Sequence, residues 1–128
     1  MKQLFLILSS IFILVGCHDT ETPKKIVSEY LQAIDNFEFE KANALLVVNP
    51  ENKIAMDNIK SYTTSLSETG KKESINKAKG RIYNIIEKES SENEALIIVT
   101  NNDGPFVSAI TFKLVKDNGK WLIKNFKT

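Results

Sequence analysis

Cysteine and histidine are almost missing from this 128-residue chain: Cys17 is the only cysteine, and its neighbour His18 is the only histidine. Residues 19–128 therefore cannot form a disulfide, a thiolate metal site, or a Ser-His or Cys-His nucleophile–base pair. Net charge is nearly missing as well. Lys2 is the only charged residue among the first sixteen, and without it 16 basic side chains face 16 acidic ones. A neutral chain has no long-range field to gather nucleic acid or anionic lipid, so charge-driven partners are disfavoured. The densest cationic stretches, Lys71-Lys72 and residues 77–81, sit near Glu73 and Glu87 and read as a solvated face. The 5 glycines form no phosphate-cradling loop, and the carboxylates lack the spacing of a calcium loop, so no cofactor or metal is expected. The longest apolar run, residues 4–15 interrupted by Ser9 and Ser10, falls short of the ~20 residues that span a bilayer as a helix.

What is present begins with that run. Preceded by Met1-Lys2-Gln3, it has the length and the positive lead-in of a secretion signal. It closes on Leu14-Val15-Gly16-Cys17, which resembles the lipobox of bacterial lipoproteins. The resemblance implies cleavage between Gly16 and Cys17, a diacylglyceryl group on the Cys17 thiol, and often a further acyl chain on the new amino terminus. Two or three chains, at about 0.8 kcal/mol per buried methylene, make release negligible. The expected organisation is a signal peptide over residues 1–16, a lipidated cysteine and tether over 17–21, and one α+β domain over 22–128. Residues 18–21 reach less than ~20 Å when fully extended, so the domain works close to the lipid surface. In enterobacterial lipoproteins an Asp directly after the cysteine favours the inner membrane. His18 stands there instead, which implies the outer membrane where the host has two.

Thr22-Pro23 is a helix start, with a capping hydroxyl followed by a residue that needs no N–H. Val27, Tyr30, Leu31 and Ile34 then recur at helical spacing. A second short helix carries Phe39, Ala42, Leu45 and Leu46 inward. Asn49-Pro50 repeats the start signal, and Ala55, Ile59, Tyr62 and Leu66 form the stripe of a third helix that closes near Gly70. From residue 81 onward the pattern becomes β. Residues 81–89, 94–100, 106–115 and 121–126 are rich in β-branched and aromatic side chains and are separated by turn-like breaks. Asn118-Gly119 is the strongest hairpin signal, because a type I′ turn needs positive φ at both central positions. Helices followed by an antiparallel meander give an α+β fold.

Alternation places Phe106, Ile110, Phe112 and Leu114 on one side of the sheet, with Trp121 and Ile123, facing the helices. The run Ala95-Leu96-Ile97-Ile98-Val99 does not alternate, which implies a central strand covered on both faces. Helices supply one cover. Another part of the chain, a second subunit or a partner supplies the other.

Residues 22–27, 30–33 and 38–42, together with the closing stretch 115–123 and its Trp-containing strand, resemble the two ends of small nuclear transport factor 2-like domains found in bacterial lipoproteins. The resemblance implies a cone, with a curved antiparallel sheet around helices. Such cones sometimes enclose a pocket and are often paired through the outer sheet face. In relatives that are enzymes, an Asp or Tyr in the pocket serves as base or hydrogen-bond donor. Here Asp35 is explained by turn chemistry at a helix end, and Tyr30, Tyr62 and Tyr83 by packing on core stripes. The expected function is a non-enzymatic, lipid-anchored binding or interaction module, with an inhibitor or immunity-type protein as a special case. The alternative is a carrier of, or an enzyme on, a small apolar ligand in a cavity lined by Tyr30, Ile34, Tyr62 and Trp121. A weak homodimer is expected through an outer face around Leu96, Ile98 and Val107, with no nucleic acid among the partners.

Overall fold

Thr22 opens the first helix by accepting the Lys25 backbone N–H on Oγ1 at 3.2 Å, with Pro23 in the first helical position. The computed structural model describes residues 21–102 and 109–128. The expectations for Gly16, Cys17, Phe106 and Val107 lie outside the described residues. Helix α1 (Pro23–Asp35) buries Ile26, Val27, Tyr30, Leu31 and Ala33, and Ile34 packs half-buried against them. It closes with two backbone bonds, Phe37 N–H to the Ile34 carbonyl at 3.1 Å and Glu38 N–H to the Ala33 carbonyl at 2.8 Å. This Schellman closure requires a left-handed residue, and Phe37 takes it at φ 59°. Its ring stacks on Phe39 at 6.1 Å, a contact that a glycine would lack.

Helix α2 (Phe39–Asn43) is shorter than its apolar pattern suggested. After it, residues 45–47 extend along the sheet edge, with Val47 N–H donating to the Ile123 carbonyl at 2.8 Å and Ile123 N–H to the Leu45 carbonyl at 2.9 Å. Helix α3 (Pro50–Ser65) starts as read, with Asn49 Oδ1 capping the Asn52 N–H at 2.8 Å. Its rotation differs from expectation. Asn52 is buried, and its Nδ2 donates to the carbonyls of Val47, Ile123 and Lys124 at 2.8, 3.1 and 3.1 Å. That anchor turns Met56, Ile59 and Thr63 inward and leaves Tyr62 67% exposed, off the core stripe that its spacing suggested. A buried amide needs all its partners, whereas a tyrosine hydroxyl tolerates water, so the asparagine decides the rotation.

Helix α4 (Glu68–Lys79) was not expected. Ser67 Oγ accepts the Gly70 N–H at 3.0 Å to cap it, and none of its residues is buried. Its polar sequence has no apolar stripe for periodicity to detect.

Strands β1 (Tyr83–Ser90), β2 (Glu94–Asn101), β3 (Ile110–Asp117) and β4 (Lys120–Lys127) form one antiparallel sheet in sequential order, which is the meander expected. Asn118 and Gly119 take φ of 49° and 76° at the last turn, as the dipeptide suggested. Each edge strand carries one extra residue, Lys88 on β1 and Lys124 on β4, where the pairing register shifts. Bulges on both edges bend the sheet around α1, and a lysine at each discourages pairing with another edge. The inner face presents Ala95, Ile97 and Val99 from β2, Phe112 and Leu114 from β3, and Trp121 and Ile123 from β4, all buried. The Tyr30 ring meets Phe112 edge-on at 5.8 Å and Phe126 at 5.5 Å, which locks α1 to the sheet. Among the described residues the fold is α+β: four helices on a curved four-stranded antiparallel sheet.

Candidate functional site

Among the described residues, those that the sequence singles out fall in three places. The first is the outer face of the sheet. Register places Ile86, Ile98 and Thr111 in one cross-strand row and Leu96 and Lys113 in the next, on the side opposite the buried Ile97 and Val99. Val115 and Leu122 pair on the same side. Ile86 is 46% exposed, and Leu96, Ile98, Val115 and Leu122 are half-buried, while the helices pack on the other face. Strand β2 is thus apolar on both sides, with one side buried and the other only partly covered. Where the bulges bend this face, a concavity of about 420 Å³ forms. Leu96 and Val115 contribute its apolar part, and Glu89, Glu94, Lys113 and Lys124 its charged part. Both signs of charge surround an apolar patch, a composition suited to a protein surface.

The second place was legible only in part. Asp35 ends α1 as read, but its carboxylate also closes a long-range cluster. Arg81 Nη1 donates to Oδ1 at 2.6 Å, the Tyr83 hydroxyl donates to Oδ2 at 2.8 Å, and Arg81 Nη1 lies 3.3 Å from the same hydroxyl. The ion pair is largely shielded, with side-chain exposures of 20% and 14%. Partial burial pushes the Tyr83 phenol up to about 12, and the adjacent Asp35 acceptor adds to the shift while Arg81 opposes it. At neutral pH the phenol therefore stays protonated and serves as a donor. The cluster lines a cleft of about 360 Å³ with Ser28, Gln32, Asn36 and Lys79. Both carboxylate oxygens are engaged within the cluster, which ties the end of α1 to the start of β1. In the sequence Tyr83 reads as a packing tyrosine and Arg81 as part of a solvated cationic stretch; nothing local announces that both meet Asp35, 46 and 48 positions away.

The third place is the interior between α1 and the sheet. Tyr30 and Trp121 are buried there, and Ile34 is half-buried. Tyr30 donates its hydroxyl to the Met56 sulfur at 3.8 Å, and burial raises its phenol pKa. Trp121 carries Lys116 Nζ 5.7 Å above its ring. Tyr62 stands outside this group on the exposed side of α3. Between residues 46–49 and α3 runs a groove of about 590 Å³, with Leu46, Val48 and Met56 along it. Among the described residues, no cluster of three or more carboxylate, imidazole or thiol groups is placed to hold a metal ion, and no helix is long and apolar enough to cross a membrane.

No protein-family model matches the chain, and a comparison with curated proteins finds no match. Function must therefore be argued from the residues themselves.

Proposed function

We propose that the protein is a lipid-anchored, extracytoplasmic interaction module of a bacterial envelope, held by acyl chains on Cys17 and engaging other proteins through the outer face of its sheet. The observation that carries this reading is the two-sided apolar character of β2. Its inner residues are buried, while Leu96 and Ile98, with Ile86, Val115 and Leu122 beside them, stay accessible. Contiguous apolar side chains on a solvent-facing sheet mark surfaces that meet a partner. The lipobox-like Leu14-Val15-Gly16-Cys17 supports the anchor, and the concentration of the only His and the only Cys at residues 17–18 supports a non-enzymatic role. The curved sheet around α1 agrees with the cone of nuclear transport factor 2-like domains, and in that arrangement a weak homodimer uses the same outer face. The mixed charge around the face favours a protein partner over nucleic acid.

The test places a photo-crosslinking residue at Leu96 or Ile98 of the full chain in intact cells. An adduct of defined mass from these positions, with none from Asp57 on α3, supports the outer face as the interface. Equal labelling from all three positions, or none from any, contradicts it.

A further inference from the structure

We infer that the domain stands on the membrane with its two hairpin turns toward the lipid and the Asp35–Arg81–Tyr83 cleft at the far end. This rests on the anchoring reading above and adds to it which surfaces a partner reaches. The direction follows from how α1 lies on the sheet. Tyr30 packs on Phe112 and Phe126, which share a cross-strand row with Ile97 and Glu87. Five residues later, Asp35 meets Tyr83, which pairs with Asn101 at the opposite end of β1. From Glu87 to Tyr83 the strand advances ~13 Å, and from Tyr30 to Asp35 the helix advances ~7.5 Å in the same sense.

Extending α1 backward from Tyr30 to Pro23 covers a further ~10 Å in the other sense. Its amino end therefore reaches the level of Trp121, beside the β3–β4 turn at Asn118-Gly119, and the β1–β2 turn around Glu92 lies at the same end of the sheet. Only five residues separate Cys17 from Pro23. They span at most ~20 Å, so the amino end of α1 stays within that distance of the acyl chains. The nearly balanced charge of the chain leaves no strong surface field to pull another face onto the lipid. The cleft then sits ~20 Å farther out, about the length of the 13-residue helix. The strands rise from the membrane, and the outer sheet face is reached from the side, by a soluble protein or by a second anchored copy.

The experiment uses the full chain expressed with its leader in a bacterial host, purified in its acylated form and placed in nanodiscs that carry a gadolinium-chelating lipid. Mass spectrometry of Cys17 reports the anchor separately. Relaxation enhancement falls with the sixth power of distance, so the Glu92 and Asn118 amides should be enhanced more than about tenfold over those of Asn36, Lys79 and Thr128, given the spans above. Equal enhancement at the two ends, or the reverse ratio, overturns the orientation while leaving the anchor intact. An unmodified Cys17 overturns the anchoring reading instead. In that case the chain's only thiol is coupled to a maleimide lipid, and the same ratio decides the direction imposed by the tether.

Discussion

Asn52 offers the sharpest test of how this fold is held. Its side chain donates to three backbone carbonyls, at Val47, Ile123 and Lys124, and so joins α3 to the edge of β4. Asn52→Ala removes those donors. The Ile123 carbonyl still accepts the Val47 N–H at 2.8 Å, and the Lys124 carbonyl still accepts Asn49 Nδ2 at 2.8 Å, so each loses only part of its bonding. The Val47 carbonyl loses its donor. A polar group left unpaired out of water costs about 1–3 kcal/mol, and each of the two weakened ones about 0.5 kcal/mol, which gives a total of about 2–4 kcal/mol. For a domain of this size that corresponds to a fall in Tm of about 10–20 °C. Asn52→Asp is nearly isosteric but sets an acceptor against three acceptors. It should cost more than the alanine variant at pH 7, and the excess should shrink as acid protonates the new carboxyl. Thermal and urea unfolding followed by circular dichroism measure both variants. An alanine variant within ~0.5 kcal/mol of the parent, or an aspartate variant no worse than alanine, refutes the argument that the asparagine sets the rotation of α3.

Three further outcomes are expected. The Tyr83 phenol is pushed above its ordinary value in the folded state, so its contribution to stability is complete below pH ~10 and is lost as pH rises toward 12; in denaturant titrations at alkaline pH, Tyr83→Phe should remove part of that loss. Helix α4 buries no residue, and a 12-residue polar helix is marginal on its own, so hydrogen exchange should show its amides opening at least ~100-fold more readily than those of α1. Ile98→Lys, on the open outer face, should abolish self-association in sedimentation equilibrium at high protein concentration and change Tm by no more than ~3 °C; a parent that is already monomeric at every concentration would count against the proposed homodimer.

Much of the architecture was readable in local chemistry. Thr22-Pro23 and Asn49-Pro50 start helices because the cap and the missing N–H act within three residues, whatever the rest of the chain does. Asn118-Gly119 makes its turn for an equally local reason. The double-sided β2 was visible as an unbroken apolar run. What escaped depended on distant partners or on the lack of a pattern. Tyr62 was placed inward by spacing alone, because nothing near Asn52 announced its three carbonyl partners. Helix α4 has no apolar stripe to betray it. Phe37 takes a conformation that usually signals glycine, held there by the two backbone bonds around it. The extra residues Lys88 and Lys124 show only once strands pair. Asp35 looked like a turn residue because its cation and its phenol come from the far side of α4.

The claim on which the functional account turns is covalent and can be weighed directly. Intact-mass analysis of the chain extracted from membranes of its own host should find residues 1–16 gone and Cys17 at the amino terminus, heavier by a diacylglyceryl group with or without a further acyl chain. A polypeptide that begins at Met1 and carries a free Cys17 thiol would contradict the account.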